Sequence, residues 1–287
     1  MSSRVKRALC LLLAATLLLS LGAFGAEAKT SEYPSVRVYS DGLLVGRAYR
    51  SGQQIYLSVG DVCAMLGLEA EEQLDKTIYG YDVSIHGEGL ELSAHVGDSY
   101  VIVNHRYLLN LRGVLLSLGR AYFPVALIER IFDVRATVSG ALDRVDLVLR
   151  EGEPLKGWET YYEDTFGEEN VVWLARLINA EAANQPFIGM VGVGAVVMNR
   201  VRDERFPDNI TDVIFDTKNG VQFQPVYDER IYKRAGPTAL IAAYIALEGY
   251  TTVGDSLYFI QPERADDTWL REYYTFVVSI GDHDFYL

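Results

Sequence analysis

Glu181 is the residue in this chain whose position most needs a chemical explanation. At 100° per residue, Trp173, Leu174, Leu177 and Ile178 form one apolar stripe along a predicted helix, and Glu181 falls near its centre. A carboxyl on a buried face loses its hydration, which favours the uncharged form and keeps the proton on near neutral pH. A general acid for glycosidic cleavage requires that state. The position equally suits a structural carboxylate paired with Arg176, Arg200 or another base, and residue types alone leave both readings open.

The next predicted helix carries Gly189, Gly192, Gly194 and Ala195, small residues that let backbones approach closely. Gly192-Val193-Gly194 is not a dinucleotide fingerprint, because no strand precedes it and Val197 stands where the third glycine belongs. Asn199 shares a face with Ile188, Val191 and Ala195, which fits a buried hydrogen-bonding residue or a site residue. His86, His95 and His105 lie on predicted strands at spacings that match no compact ligand motif, so neither a metal nor another cofactor is expected. Cys63, among Val62, Ala64, Met65 and Leu66, reads as a small apolar core residue with nothing nearby to activate it.

These residues need helices to hold them, and the second half of the chain supplies them. Apolar periodicity predicts helices over 171–183, 188–202, 211–215 and 238–249, the last starting beside Pro237, with candidate strands at 256–260 and 276–280. The first half has a different grammar. Turn residues separate short β-prone runs at 36–39, 43–45, 77–85, 99–103 and 145–149. Tyr56-Leu57-Ser58-Val59 and Tyr122-Phe123-Pro124-Val125 each lead into a short helical pattern and then a strand, an internal echo that predicts a duplicated unit. Residues 151–169, with Pro154 and Gly157 as breakers and no sustained period, read as a linker. The expectation is an α+β protein with domains at 33–150 and 170–287.

Arg4, Lys6 and Arg7, the apolar run from Ala8 to Leu21, and Ala26-Glu27-Ala28 follow the order of a secretory signal peptide, placing cleavage after Ala28. The run is short for a spanning helix, so a secreted protein without a stable membrane span is expected, with an uncleaved anchor as the alternative. Cys10 sits at the front of that run, where it cannot serve as a lipid attachment site, and the mature chain keeps Cys63 alone. The net charge of −13 repels nucleic acid and anionic bilayers and suits an uncharged sugar polymer read by shape and hydrogen bonds.

Several ordered motifs together resemble a known family. They are Trp173 to Ala182, Gly189 to Val201 with Asn199-Arg200, Phe206-Pro207, Val213-Ile214, Gln222-Phe223-Gln224-Pro225-Val226, Leu257-Tyr258-Phe259 and Ile280 to Tyr286. Over about 170–287 this resembles the cell wall hydrolases of the spore cortex-lytic enzymes. The resemblance implies a lysozyme- or transglycosylase-like, helix-dominated fold and lytic cleavage of the bond between N-acetylmuramic acid and N-acetylglucosamine in peptidoglycan. It implies Glu181 as acid and then base, and Asn199, Gln222, Phe223, Gln224, Tyr258, His283 and Tyr286, with Trp269, as groove residues. A lysozyme-like hydrolase would need a second carboxylate, for which Asp228, Glu248, Asp255 and Asp282 are candidates. A non-catalytic wall-binding protein is a further alternative. The family continues Ala-Glu-Ala-Arg-Gly-Glu-Pro where this chain has Ala180-Glu181-Ala182-Ala183-Asn184-Gln185-Pro186, a departure that bears on rate and substrate preference. Residues 33–150 resemble the copper amine oxidase N-terminal-like stalk module of secreted wall proteins, which implies no copper but a spacer or a dock for a wall or coat protein. Vegetative wall and spore cortex both stay open as substrate.

Overall fold

The computed structural model describes residues 32–150, 153–218, 222–262 and 268–287. The expected leader, with Cys10, and the Trp269 side chain lie outside the described residues. The chain divides into two compact units, one ending at Glu159 and the other spanning Thr160–Leu287.

The first unit runs β1 (Ser35–Ser40), β2 (Leu43–Ser51), β3 (Gln54–Leu57), α1 (Val59–Leu66), β4 (Ala70–Thr77), β5 (Gly80–Gly87), β6 (Leu90–His95), β7 (Tyr100–Val103) and β8 (Arg106–Leu109). It continues with β9 (Leu115–Ser117), β10 (Arg120–Pro124), α2 (Val125–Phe132), β11 (Val134–Val138) and β12 (Arg144–Leu149). Strands β4 to β8 form an antiparallel meander, and the others make a sheet ordered β11-β12-β1-β2-β3-β10-β9, in which β1 and β12 are parallel. Both echo segments form a strand, a short helix and a strand, and their first strands pair, with Phe123 opposite Leu57. Ser58 starts α1 by accepting the Asp61 N–H, and Gly67 ends it at φ +74°, a conformation that favours glycine. Burial pushes the Cys63 thiol up to about 12, so it behaves as an uncharged core residue.

Residues 77–85 are not one strand. Strand β4 ends at Thr77, Ile78 and Tyr79 turn the chain, and β5 begins at Gly80, whose φ of +147° suits a residue without Cβ. Ile78 and Tyr79 are strongly exposed, so their β-propensity marked a hairpin tip rather than a buried strand.

The second unit runs α3 (Tyr161–Phe166), α4 (Glu168–Ala182), α5 (Phe187–Arg202), α6 (Ile210–Ile214), α7 (Gln224–Tyr227), a 3-10 turn (Arg230–Tyr232), α8 (Pro237–Leu247), β13 (Tyr258–Ile260), α9 (Thr268–Tyr273), β14 (Phe276–Ile280) and β15 (His283–Tyr286). The stretch read as a linker therefore holds α3 and the first turn of α4; a six-residue helix is too short to show a period. Tyr162 anchors α3, buried against the Tyr244 ring at 4.1 Å, with its hydroxyl donating to Glu248 at 3.0 Å. The unit's mixture of helices and one three-stranded sheet, β13-β15-β14, makes the chain α+β.

Helices α4, α5 and α8 pack on one another and form this unit's core. Helix α5 is buried along nearly its whole length. Its glycines permit this: a Cβ on Gly194 would stand 2.8 Å from the Ala246 Cβ and 3.0 Å from the Ile178 Cδ1, and one on Gly192 would stand 2.8 Å from the Val253 Cγ1.

Candidate active site

Leu174, Leu177 and Ile178 are fully buried on the inner face of α4, and Glu181 follows them in its last turn, partly buried. Burial raises its carboxyl pKa to about 7; the positive charge of Arg230 opposes that rise and the negative charge of Asp228 adds to it. The α4 dipole acts in the same direction as burial, since a negative charge at a helix C-terminus is unfavourable.

Neither arginine of the structural alternative pairs with Glu181. The Arg176 guanidinium lies over the Trp173 ring, 4.8 Å from its centroid. Arg200 is buried and donates from Nε to the Leu257 carbonyl at 2.8 Å and from Nη1 to Gln222 Oε1 at 3.4 Å. Its guanidinium is about 5 Å from the rings of Phe206 and Phe223. Burial lowers its pKa to about 10, which leaves it charged at neutral pH. Among the described residues, no hydrogen bond holds the Glu181 carboxyl.

A turn following α7 brings the two charges that act on Glu181. Asp228 accepts from Arg230 Nε at 3.0 and 2.8 Å and from the Arg230 backbone N–H at 3.2 Å. Glu229 between them adopts φ +63°, an uncommon conformation for a residue with a side chain. Arg230 Nη1 then donates to the Ala180 carbonyl at 2.8 Å, fastening the turn to the residue before Glu181. Nothing in the sequence pattern pointed to Arg230, because the group it meets on α4 is a backbone carbonyl fifty positions away. Of the four candidate second carboxylates, Asp228 is the one that acts electrostatically on Glu181. Glu248 accepts from Tyr162, Asp282 is engaged by Gln185, and Asp255 is exposed in the loop before β13.

The altered 183–185 segment has a defined place. Gln185 is buried between α4 and α5; its Oε1 accepts the Asp282 N–H at 2.8 Å and its Nε2 donates to the Asp282 carboxylate at 3.0 Å. Gly281 makes room for it: at φ +59°, any Cβ there would collide with Gln185 Oε1 and Pro186 Cδ. On the other side of the turn, Asn179 Oδ1 accepts the Gly236 N–H at 3.0 Å, which fixes the approach to α8.

The residues expected to line a groove divide by burial. Phe223, His283 and Tyr286 are buried: Phe223 packs against Phe259, His283 against Phe259 with Nε2 3.1 Å from Gln261, and Tyr286 in a cluster with Ile260, Tyr258 and Tyr274. An aromatic or histidine in a short motif looks the same in a core as in a cleft, so sequence could not separate the two. Asn199 donates both amide hydrogens, to Gly254 O at 2.9 Å and Ser256 O at 3.0 Å, and so tethers the loop before β13 to α5. Gln222 is partly buried beside Arg200, Gln224 is exposed at the start of α7, and Tyr258 is partly buried with its ring 4.4 Å from that of Tyr274.

Residues 184–286 match the Cell Wall Hydrolase family. A spore cortex-lytic enzyme of Bacillus cereus is 29% identical over 121 residues, 42% of this chain and 46% of that protein. One of Halalkalibacterium halodurans is 32% identical over 105 residues, 37% of this chain and 31% of that protein. The chain thus spans less than half the length of these curated relatives. The solved catalytic domain of the germination-specific lytic transglycosylase SleB from Bacillus anthracis shares 30% identity across 42% of this chain and 95% of that one, with a TM-score of 0.39. Glu181 lies three positions before the family match begins, so its role is argued from its surroundings. Through its C-terminal unit, this chain belongs to the cell wall hydrolase family.

Proposed function

We propose that the protein is an extracytoplasmic enzyme that cleaves peptidoglycan between N-acetylmuramic acid and N-acetylglucosamine as a lytic transglycosylase, with Glu181 as its acid and then its base. The observation that carries this reading is a carboxyl in the last turn of α4, raised to about 7 by burial despite the charge of Arg230, with Arg176 and Arg200 engaged elsewhere.

Protonated Glu181 gives its proton to the glycosidic oxygen. The bond to muramic C1 breaks with its electron pair on that oxygen, and positive charge develops on the ring. The C6 hydroxyl oxygen then bonds to C1 while its proton passes to the Glu181 carboxylate. An anhydro ring results, no water is consumed, and the enzyme regains its acid. One residue serves both steps, which suits a site where Asp228, the carboxylate acting on Glu181, is committed to Arg230. Asp228 is also the observation that keeps a hydrolase in view, because release from Arg230 would free it to activate water.

Gln222, Gln224 and Tyr258, which retain exposed surface, are the proposed glycan contacts, with amides reading N-acetyl groups and the ring packing on a sugar face. Residues 1–28 would direct export. Residues 33–150 would act as a stalk that spaces the catalytic unit or docks a wall or coat protein. The names of the relatives favour spore cortex as substrate.

Mass spectrometry of muropeptides released from vegetative peptidoglycan and from spore cortex tests the reading. Anhydromuramic ends that vanish in Glu181→Gln are expected. Reducing ends would replace it with the hydrolase, and no release by folded protein would leave a wall-binding protein.

A further inference from the structure

Arg230 and Asp228 do more than close a turn. The Ala180 carbonyl fixes one edge of the Arg230 guanidinium at the C-terminal end of α4, and the Asp228 carboxylate holds Nε, so the cation is locked one residue away from Glu181. A lone arginine there would hold Glu181 ionised and end its use as an acid. A site without any cation would leave the carboxylate formed by proton donation stranded in a buried position. An arginine already half-neutralised by its own carboxylate avoids both outcomes.

We propose that Arg230, held by Asp228, is a positioning residue that balances the charge of Glu181 so that this single carboxyl can both release and recover a proton. The inference rests on the acid-then-base role proposed for Glu181 and assigns the group that makes that role reversible.

Lys233, just after the 3-10 turn, acts on Asp228, and the charged groups of the elements packed against α4 have the following places. Glu168 and Glu169 lie in the first turn of α4, and Arg176 is over Trp173. Helix α8 carries Tyr244 as its one ionisable side chain, and that hydroxyl donates to Glu163 of α3 at 3.1 Å. On α5, Arg200 and Arg202 stand in the last turn, and on α6 Asp212 accepts from Asn209. On α7 Tyr227 is exposed, as is Tyr232 of the 3-10 turn. The groups that bear on Glu181 are Arg230 and Asp228.

The test follows the Glu181 carboxyl directly, by carbon NMR titration of the full protein labelled at glutamate side-chain carboxyls, with the Glu181→Gln spectrum identifying its signal. Arg230→Gln should move the Glu181 midpoint up and Asp228→Asn should move it down, each by about one unit, the size an opposite or like charge at close range produces. Arg230→Lys, which keeps the charge, should stay near wild type. On peptidoglycan, the descending limb of the kcat/KM profile should follow the same midpoints, and Arg230→Gln should lose about tenfold in kcat with little change in KM. Opposite displacements are the signature; a merely structural turn would give none.

Equal midpoints in all variants, or displacement in the same direction, would overturn the inference. Should Arg230→Gln not fold, Asp228→Asn alone decides, a downward displacement supporting the inference and an unmoved midpoint refuting it. Failure of the proposed reaction is visible separately, as wild-type protein that forms no anhydromuramic ends or as a Glu181→Gln variant that still does, whatever the NMR midpoints.

Discussion

Replacing Glu181 with glutamine should change the protein's stability by an amount that depends on pH. The wild-type carboxyl titrates near 4.5 in an unfolded chain and at about 7 in the folded unit, chiefly because burial penalises its charge. Below pH 4.5 both states hold the proton and the group favours neither. As pH rises, the unfolded state ionises first and binds fewer protons, so folding stability falls until the native carboxyl ionises as well. The difference of about 2.5 units corresponds to roughly 3 kcal/mol, lost between about pH 4.5 and 7. Glutamine has no proton to lose and should escape this decline. Urea denaturation of both proteins from pH 4 to pH 9 measures it, and taking the difference at each pH cancels the first unit's contribution. The glutamine variant should gain on wild type by about 3 kcal/mol across the window and then level off. A difference that stays flat would mean that Glu181 is solvated like a surface carboxylate, and the argument for a buried acid would collapse.

Activity should follow the same titration with the acid's sign: kcat/KM on peptidoglycan, highest where Glu181 is protonated, should fall as pH rises through about 7, and a rise over that range would exclude it as the acid. Gln185→Glu should destabilise the second unit by about 1–3 kcal/mol at neutral pH, because two carboxylates would meet where Nε2 now donates to Asp282; thermal unfolding at pH 7 against pH 4 should show the loss shrinking in acid. Gly281→Ala should lower stability by at least about 1–3 kcal/mol, since its positive φ and the Gln185 and Pro186 atoms both oppose a Cβ, and an unchanged denaturation midpoint would refute that packing. Asn199→Ala should cost about 1–3 kcal/mol in the same assay by removing the donor to the Ser256 carbonyl, whereas the Gly254 carbonyl keeps the Thr251 hydroxyl.

Periodicity found the framework because the framework is built on periodic burial. The stripe of Leu174, Leu177 and Ile178 fixed helix α4 and placed Glu181 on its inner face, and the predicted ranges 188–202 and 276–280 fall within one residue of α5 and β14. Strand β4, Ala70-Glu-Glu-Gln-Leu-Asp-Lys-Thr77, shows no apolar alternation because its side chains are exposed or half-buried, and pairing with β5 defines it instead. Helices α3 and α7 are shorter than two turns and leave no period to read. In the site, the inward-facing carboxyl of Glu181 was legible from its own helix. The Asp228–Arg230 turn was not, because its meaning lies in a contact with a carbonyl fifty positions away. The burial of Phe223, His283 and Tyr286 was not legible for the complementary reason: residue type does not encode which face of an element meets solvent.

The segment after Glu181 shows how a departure from a motif can be compensated in three dimensions. A glutamate at position 185 could accept the Asp282 N–H but would confront the Asp282 carboxylate with a second negative charge, so one of the two contacts would fail unless a proton were shared. Glutamine satisfies both, accepting with Oε1 and donating with Nε2, and it does so while buried, where an unpaired polar atom is costly. Those two bonds join the α4–α5 turn to the β14–β15 turn at Gly281, four residues beyond Glu181. The neutral residue therefore strengthens the clamp that fixes the end of α4. It also keeps another carboxylate out of this segment, leaving Arg230 and Asp228 as the charges that act on Glu181. The change from the family pattern is thus better understood as a rebalanced support for Glu181 than as the loss of a working part.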